Sequence, residues 1–216
     1  MLYRKNNKIS IKIEDVELKG EIIIPLKATS LVIFAHGSGS NYMSKRNEIV
    51  AKSLHQKNIG TLLVTLLTEK EDLQYRNRFD IELLTERLIK ITEWAEKEEG
   101  EKNLSMGYFG SSTGAAAALN AAARLPMISA VVSRGGRPDL VSDQLAKVEA
   151  STLLIVGSLD FDVLKMNELA FKKLTCEKKM EILQGATHLF EEHGMINKVA
   201  SLSAAWFGKY LQPVLA

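Results

Sequence analysis

The most informative stretch of the sequence is LSMGYFGSSTGAAAALNAAAR, residues 104–124. Its apolar start predicts a buried strand over Leu104–Phe109, and its alanine-rich end predicts a helix over Thr113–Arg124. Between them lies GSSTG, at positions 110–114, which has the pattern G-x-S-x-G. The order of strand, tight turn and helix predicts that Ser112 stands at the tip of the turn.

A serine hydroxyl is a weak nucleophile, and it has to be exposed beside a base before it can attack a carbonyl carbon. A tight strand-to-helix turn leaves no room for side chains two residues before and after the serine, which explains Gly110 and Gly114. The helix that follows points free N–H groups and a partial positive charge at the same place. Ser112 is therefore the candidate nucleophile. The alternative is a glycine-rich turn in which the serine only caps the helix.

Strands and helices alternate along the rest of the chain. Continuous apolar runs predict buried strands, and apolar residues three and four apart predict helices. The predicted strands are 31–35, 61–67, 104–109, 128–133, 153–156 and 179–183, and the predicted helices are 44–56, 79–97, 113–124, 161–174 and 195–211. This order is typical of a mostly parallel α/β sheet covered on both faces, with a hairpin over residues 9–25 at one edge. No linker or repeat interrupts the pattern, so one domain over residues 1–216 is predicted.

In such sheets the chemistry gathers at the carboxyl ends of the strands. His188 follows the predicted strand 179–183 and is the candidate base for Ser112. A base of this kind needs a carboxylate that orients it, and Asp160 follows the predicted strand 153–156. Asp162, two residues further on, is the alternative, and either carboxylate would also fit a helix N-cap.

The other histidines and the single cysteine suggest other roles. His55 falls within the predicted helix 44–56 and is expected on the surface, and His193 lies among acidic residues and is expected to be solvated. A metal site formed by His188 and His193 is disfavoured, because their spacing is not the i,i+4 spacing of zinc ligands on a helix. With one cysteine, Cys176, neither an intrachain disulfide nor a cysteine-built zinc site can form.

The glycine-rich loop HGSGS, residues 36–40, follows the predicted strand 31–35. Gly37 permits unusual backbone angles, so the Ser38 N–H is expected to face the nucleophile and, with the Thr113 N–H, to bind an oxyanion. The alternative is a phosphate loop, but the third glycine of G-x-G-x-x-G is missing, since position 42 is Tyr42. No cofactor and no metal are expected.

The composition argues against several classes of protein. The 216 residues carry 28 Lys and Arg against 26 Asp and Glu, with both signs mixed, so nucleic-acid binding is not predicted. No apolar run approaches the ~20 residues of a membrane span, and residues 1–12 lack the apolar core of a secretion signal. The use of a single cysteine favours a reducing compartment, so a cytoplasmic protein without membrane contact is expected.

Four segments resemble the α/β-hydrolase superfamily, and more closely its dienelactone-hydrolase-like branch. They are FAHGSG (34–39), GYFGSSTG (107–114), VGSLD (156–160) and GATHLF (185–190). The resemblance covers nearly the whole chain and implies a three-layer α/β fold with about eight mostly parallel strands and little or no cap. It implies Ser112 as nucleophile, Asp160 as acid and His188 as base, in the chain order of that superfamily. Dienelactone hydrolases themselves use cysteine as nucleophile, so Ser112 does not predict that specific activity.

The segment SRGGRPD, residues 133–139, looks characteristic of a hydrolase-like subgroup, some of whose members are fused to phosphoribosyltransferase domains. No such fusion is expected here. Arg134 follows a predicted strand and is a candidate, with Gly37, for contact with the substrate, where its charge would bind an anionic group. A structural ion pair is the alternative role for Arg134.

The residues and the resemblance together predict a serine hydrolase that cleaves carboxylic ester or thioester bonds through a Ser-His-Asp triad and an acyl-enzyme intermediate. The alternatives are an acyltransferase or peptidase with the same triad, a hydrolase-like binding protein without turnover, and a nucleotide-binding protein. The expected partner is a small-molecule ester, with a homodimer left open. Residues 68–78 are the predicted mobile flap.

Overall fold

A computed structural model of the chain describes residues 2–99 and 104–213. The strands are β1 (Tyr3–Ile13), β2 (Val16–Pro25), β3 (Ser30–Ala35), β4 (Gly60–Val64), β5 (Ser105–Ser111), β6 (Ile128–Arg134), β7 (Ser151–Gly157) and β8 (Lys178–Leu183). The helices are α1 (Lys45–Gln56), α2 (Glu69–Asp72), α3 (Ile81–Glu99), α4 (Thr113–Ala122), α5 (Phe161–Lys173) and α6 (Met195–Tyr210). In addition, 3-10 turns span Tyr75–Phe79, Pro138–Val141 and Leu145–Lys147.

The eight strands form one sheet in the order β1-β2-β4-β3-β5-β6-β7-β8. β2 pairs antiparallel with β1 and with β4, and the remaining neighbours pair in parallel. Every residue of β3, β4 and β5 is buried, which is why these strands appear in the sequence as continuous apolar runs. The predicted sheet, with its antiparallel hairpin at one edge, is confirmed.

Helices cover both faces of the sheet. Successive strand residues point to opposite faces, so Ile33 packs in one core and Phe34 in the other. The core around Ile33 contains apolar residues of α3, α4 and α5, and the core around Phe34 contains those of α1 and α6. The three layers implied by the family resemblance are therefore present. Residues 135–150, between β6 and β7, hold only 3-10 turns, in agreement with a small cap.

The region after β4 differs from the sequence prediction. β4 ends at Val64 rather than at Leu67, and Thr68 then caps the short helix α2 through a capping box with Glu71. Residues 68–78, the predicted mobile flap, thus contain α2 and most of a 3-10 turn. Two ion pairs hold this segment, Arg78–Asp72 at 2.8 Å and Arg87–Glu71 at 2.8 Å.

The expectation that His55 lies on the surface is wrong. The buried residues of α1 lie on one face of the helix, and they are Asn47, Val50, Ala51, Leu54 and His55. His55 is 5% exposed, and its Nε2 lies 2.8 Å from Thr61 Oγ1 at the start of β4. Burial lowers the pKa of His55 to about 4. Across the described residues, none of the helices has the length and apolar character needed to span a membrane.

Candidate active site

Ser112 forms a strained turn between β5 and α4. Its backbone angles are φ 51° and ψ −123°, a combination that residues other than glycine rarely adopt. β5 ends at Ser111 and α4 begins at Thr113, so this one residue reverses the chain. Strain of this kind costs about 1–3 kcal/mol and persists only where the surroundings impose it.

The packing of α4 against the sheet imposes the turn. A Cβ on Gly114 would lie 2.3 Å from the carbonyl oxygens of both Ala35 and His36, closer than side-chain carbons approach backbone. All residues of α4 are buried, and its alanines let the helix lie close to the strands. The second glycine of the G-x-S-x-G pattern, Gly114, is therefore explained by the contact between α4 and the end of β3.

Asp160 and His188 meet beside this turn. Asp160 is the N-cap residue of α5, but its side chain does not cap the helix. Its Oδ2 instead accepts a hydrogen bond from His188 Nδ1 at 2.6 Å. Asp162 is exposed in the first turn of α5, so of the two candidate carboxylates the structure brings Asp160 to the histidine. Because Nδ1 donates, Nε2 of a neutral ring carries the free lone pair.

The end of β6 supports both Ser112 and His188. The Ser112 N–H donates to the Arg134 carbonyl oxygen at 3.3 Å. Gly135 has a φ of 51°, and a Cβ placed on it would lie 3.3 Å from the His188 carbonyl oxygen and 3.5 Å from its Cε1. Among the described residues, no hydrogen bond joins the side chain of Ser112 to the side chain of His188. Hydrogen bonds between a nucleophile and its base often tighten only when a substrate is bound.

The loop over residues 36–40 lies against the turn. A Cβ on Gly37 would lie 3.0 Å from Ser112 Cβ, so the predicted approach of the loop is observed. The Ser38 N–H donates to Thr113 Oγ1 at 3.2 Å, so this candidate oxyanion donor already has an acceptor in the protein. The Thr113 N–H belongs to the first residue of α4 and has no acceptor within its own helix. The sequence pattern did not reveal the role of the threonine hydroxyl.

His36 holds this loop in place and was also not revealed by the sequence pattern. The Leu66 N–H donates to His36 Nε2 at 3.0 Å, so the proton of the neutral ring is on Nδ1, which donates to the Gly37 carbonyl oxygen at 3.0 Å. Burial lowers the pKa of His36, which favours this neutral form. The sequence feature that could have indicated this role of His36 is its position between the buried strand β3 and Gly37.

Arg134 carries its charge into the protein, and none of the described residues is its partner. The residue is 8% exposed, and its Nε and Nη1 are buried without a hydrogen-bond acceptor. Burial, together with the nearby charge of Arg46, lowers the pKa of Arg134 to about 10. The structural ion pair considered as an alternative is not formed with any residue that the structure describes.

The remaining surroundings of the site are open and partly apolar. Three apolar side chains are exposed next to the candidate acid and base. Leu159 and Phe161, on either side of Asp160, are 50% and 72% exposed, and Leu189, directly after His188, is 42% exposed. A cavity of about 440 Å³ borders the loop over residues 36–40, and its lining includes His36, Tyr42, Leu67 and Asp72. His193 is exposed, and the described part of the chain contains no group of three or more His, Cys, Asp or Glu side chains placed to hold a metal ion.

Comparison with known proteins identifies the family. No family model matches the chain. Among solved structures, a dienelactone hydrolase from Anabaena variabilis is 47% identical with a TM-score of 0.93, over 96% of this chain and 99% of that chain. The chain belongs to the α/β-hydrolase superfamily, in its dienelactone-hydrolase-like branch. Est1E from Butyrivibrio proteoclasticus shares the fold with a TM-score of 0.80 at 14% identity, over 94% of this chain and 98% of that chain.

Curated relatives of this α/β-hydrolase chain carry a different name. Proteins from two strains of Mycobacterium tuberculosis are 45% identical over 208 residues and are named “Putative phosphoribosyl transferase”. The match covers 96% of this chain but 47% of those proteins, so the chain spans about half of their length. That name describes the whole relatives, whereas the sheet and the turn around Ser112 described above are those of the hydrolase family.

Proposed function

We propose that this α/β-hydrolase is a serine hydrolase that cleaves carboxylic ester or thioester bonds of small substrates. The observation that carries the proposal is the 2.6 Å hydrogen bond from His188 Nδ1 to Asp160 Oδ2, beside the turn that presents Ser112. This bond orients the imidazole so that Nε2 is free to take the serine proton. The 47% identical structure named dienelactone hydrolase supports hydrolysis as the class of reaction.

In the first step, Ser112 Oγ attacks the carbonyl carbon of the substrate while its proton passes to His188 Nε2. The carbonyl π bond opens, and the negative charge moves to the carbonyl oxygen. When the tetrahedral intermediate collapses, the bond to the alcohol or thiol breaks, and the leaving group takes the proton from His188. Asp160 stays ionised and stabilises the imidazolium.

In the second step, a water molecule attacks the carbon of the acyl-enzyme. His188 Nε2 takes a proton from this water, and the carbon–oxygen bond to Ser112 breaks. The serine oxygen regains its proton from the imidazolium, and a carboxylic acid leaves. The same histidine therefore acts as base and then as acid in both halves of the reaction.

The oxyanion is stabilised from two sides of Ser112. The Thr113 N–H lies at the start of α4, where the partial positive charge of the helix favours an anion. The second donor is the Ser38 N–H, which donates to Thr113 Oγ1 at 3.2 Å in the structure. It becomes available when the substrate oxygen replaces this hydroxyl as its acceptor. Each such donor is typically worth about 3 kcal/mol of the barrier.

The experiment that tests the proposal is covalent labelling combined with ester hydrolysis. A fluorophosphonate probe, which phosphonylates an activated serine with loss of fluoride, should label the wild type, and 4-nitrophenyl butyrate should be hydrolysed. Ser112→Ala should lose both the labelling and the hydrolysis. The adjacent Ser111 is buried at the end of β5, so Ser111→Ala is the matched control and should keep both. Labelling of Ser112→Ala by the probe would overturn the proposal.

A further inference from the structure

The buried amide of Asn167 joins helix α5 to the segment that follows β6. Asn167 lies in the middle of α5 and is 0% exposed. Its Nδ2 donates to two backbone carbonyl oxygens, that of Val163 at 2.7 Å and that of Gly136 at 3.0 Å. Because carbonyl oxygens only accept hydrogen bonds, the amide nitrogen has to face them, and Oδ1 lies on the other side. This Oδ1 is buried and has no hydrogen-bond donor among the described residues.

An amide at this position is not explained by stability alone. A buried acceptor without a donor lowers the stability of a protein, and an apolar side chain of the same shape avoids that loss. The Val163 carbonyl oxygen is already the regular helical acceptor for the backbone N–H of Asn167, four residues later. The contact that the side chain adds is therefore the one with Gly136.

Gly136 belongs to a segment, residues 134–137, that holds the backbone of the nucleophile. The Arg134 carbonyl oxygen accepts the Ser112 N–H at 3.3 Å, and the Arg137 N–H donates to the Ser112 carbonyl oxygen at 3.2 Å. Gly136 lies between these two contacts in the chain. A displacement of Gly136 therefore reaches the strained serine turn through two hydrogen bonds.

The same segment passes beside the base. Gly135 is buried with a φ of 51°, and its N–H donates to the Ile155 carbonyl oxygen of β7 at 2.8 Å. A Cβ on Gly135 would lie 3.5 Å from His188 Cε1, so the imidazole packs close to this backbone. Residues 134–137 thus adjoin both of the residues that have to exchange a proton.

Helix α5, to which Asn167 ties this segment, also carries the acid. Asp160 is the N-cap residue of α5, and its Oδ2 accepts the hydrogen bond from His188 Nδ1. Asn167 follows seven residues later, about two helical turns along the same helix. The amide therefore joins the helix that orients the base to the segment that holds the nucleophile.

We propose that Asn167 is a positioning residue, whose amide holds residues 134–137 against α5 so that Ser112 Oγ and His188 Nε2 meet at the distance that proton transfer requires. This inference rests on the proposed ester hydrolysis and deepens it by one residue of the same site. Asn167 acts through Gly136 and does not touch the reacting groups. A misplacement of reacting groups by about 1 Å can lower a rate about 100-fold, so the loss of this contact should be measurable.

The first test removes the amide. Asn167→Leu should lower kcat and kcat/KM for 4-nitrophenyl butyrate by the same factor, about tenfold or more, because only the transition state needs the exact geometry. Asn120→Leu is the matched control. Asn120 is also a buried helical amide, 4% exposed, whose Nδ2 donates to Thr85 Oγ1 at 3.1 Å and whose Oδ1 has no donor in the described part of the chain. It should keep kcat, and equal losses in both variants would overturn the proposal.

The second test, Asn167→Asp, separates positioning from packing and does not require that the leucine variant folds. A neutral carboxyl group can donate to the Gly136 carbonyl oxygen, whereas a carboxylate cannot, and burial raises the pKa of the introduced group. The ratio of the kcat of this variant to that of the wild type should therefore fall by about tenfold between about pH 5.5 and pH 9.5. Titration of His188 is common to both proteins and cancels in the ratio. Near-UV circular dichroism at each pH confirms that the protein is folded, and a constant ratio would contradict the inference.

A spectroscopic measurement separates failure of this inference from failure of the proposed hydrolysis. In protein with ¹³C-labelled histidine, the Cε1–H resonance of His188 is assigned through His188→Gln. Asn167→Leu should shift this resonance, and Asn120→Leu should leave it in place. A shift in a protein whose wild type hydrolyses no ester would refute the hydrolase and support the positioning. An active wild type in which Asn167→Leu changes neither kcat nor the resonance would overturn the positioning and leave the hydrolase standing.

Discussion

The two sides of the candidate site are built in different ways. Ser112 stands on a turn whose backbone is clamped between a fully buried strand and a fully buried helix. Asp160 and His188 lie on loops beyond β7 and β8, and the histidine side chain is 39% exposed. The serine is thus positioned by the packing of many residues, whereas the histidine is oriented by its hydrogen bond to Asp160. Substitutions on the packed side should therefore change stability, and substitutions on the loop side should change activity alone.

The largest effect is expected on the loop side. Asp160→Asn should lower kcat by about 10⁴-fold, because the amide no longer favours the imidazole tautomer that accepts the serine proton. Its Tm should stay close to that of the wild type. Asp162→Asn is the matched control, because this exposed carboxylate lies two residues away without contacting His188. Equal losses of kcat in both variants would show that the sequence-based choice of Asp160 is mistaken.

The packed side should respond through stability. Gly114→Ala should lower the free energy of unfolding by about 3 kcal/mol or prevent folding, because the added Cβ meets two backbone oxygens at 2.3 Å. The matched control is Gly208→Ala in α6, where nothing lies within 4 Å of the added Cβ. That variant should gain about 0.5–1 kcal/mol, because alanine favours a helix. Denaturant unfolding measures both, and a stable Gly114→Ala protein would contradict the packing argument.

A smaller effect should appear at the turn itself. Ser112→Gly should raise the free energy of unfolding by about 1 kcal/mol, because glycine adopts a φ of 51° without strain, while hydrolysis is lost. Ser112→Ala removes the same hydroxyl but keeps a Cβ, so it should lack this gain. If the two variants unfold at the same denaturant concentration, the backbone at position 112 is not strained.

The last effect concerns the pH dependence of stability and depends on a buried histidine of α1. The pKa of His55 is lowered by burial to about 4, against an ordinary value of 6.5. The unfolded chain therefore takes up a proton before the folded protein does, and stability should fall as the pH drops from about 6.5 to 4. His55→Gln, which can still bond to Thr61, should show a weaker decrease in Tm over this range. An identical decrease in both proteins would show that His55 does not contribute.

The sequence predicted most of the fold because strands and helices differ clearly in their apolar spacing. β3 and β5 were identifiable as continuous apolar runs, and α3 as a stripe of residues three and four apart. The errors fall where local pattern is weak. β4 was extended to Leu67 because apolar residues continue beyond its last paired residue, and the four-residue helix α2 is too short to show a period.

The candidate site was predicted in its residue types but not in its contacts. Ser112, Asp160 and His188 each follow a buried strand, and parallel strands bring their carboxyl ends together whatever the loops contain. In contrast, the hydrogen bond from Ser38 to Thr113 joins positions 75 residues apart and has no local signature. Arg134 has no partner among the residues that the structure describes, and a sequence does not reveal this, because it depends on all of the neighbouring elements.

The order of the strands has a consequence for the making of the protein on the ribosome. Ser112 follows β5 in the middle of the sheet, whereas His188 follows β8, the last strand and the far edge. Synthesis on the ribosome runs from the N-terminus, at about 5–20 residues per second, so Ser112 is made before His188. The central strands can therefore come together while the histidine has yet to be translated. A nascent chain would carry its serine without a base, and the proposed chemistry would begin only after β8 has joined the sheet.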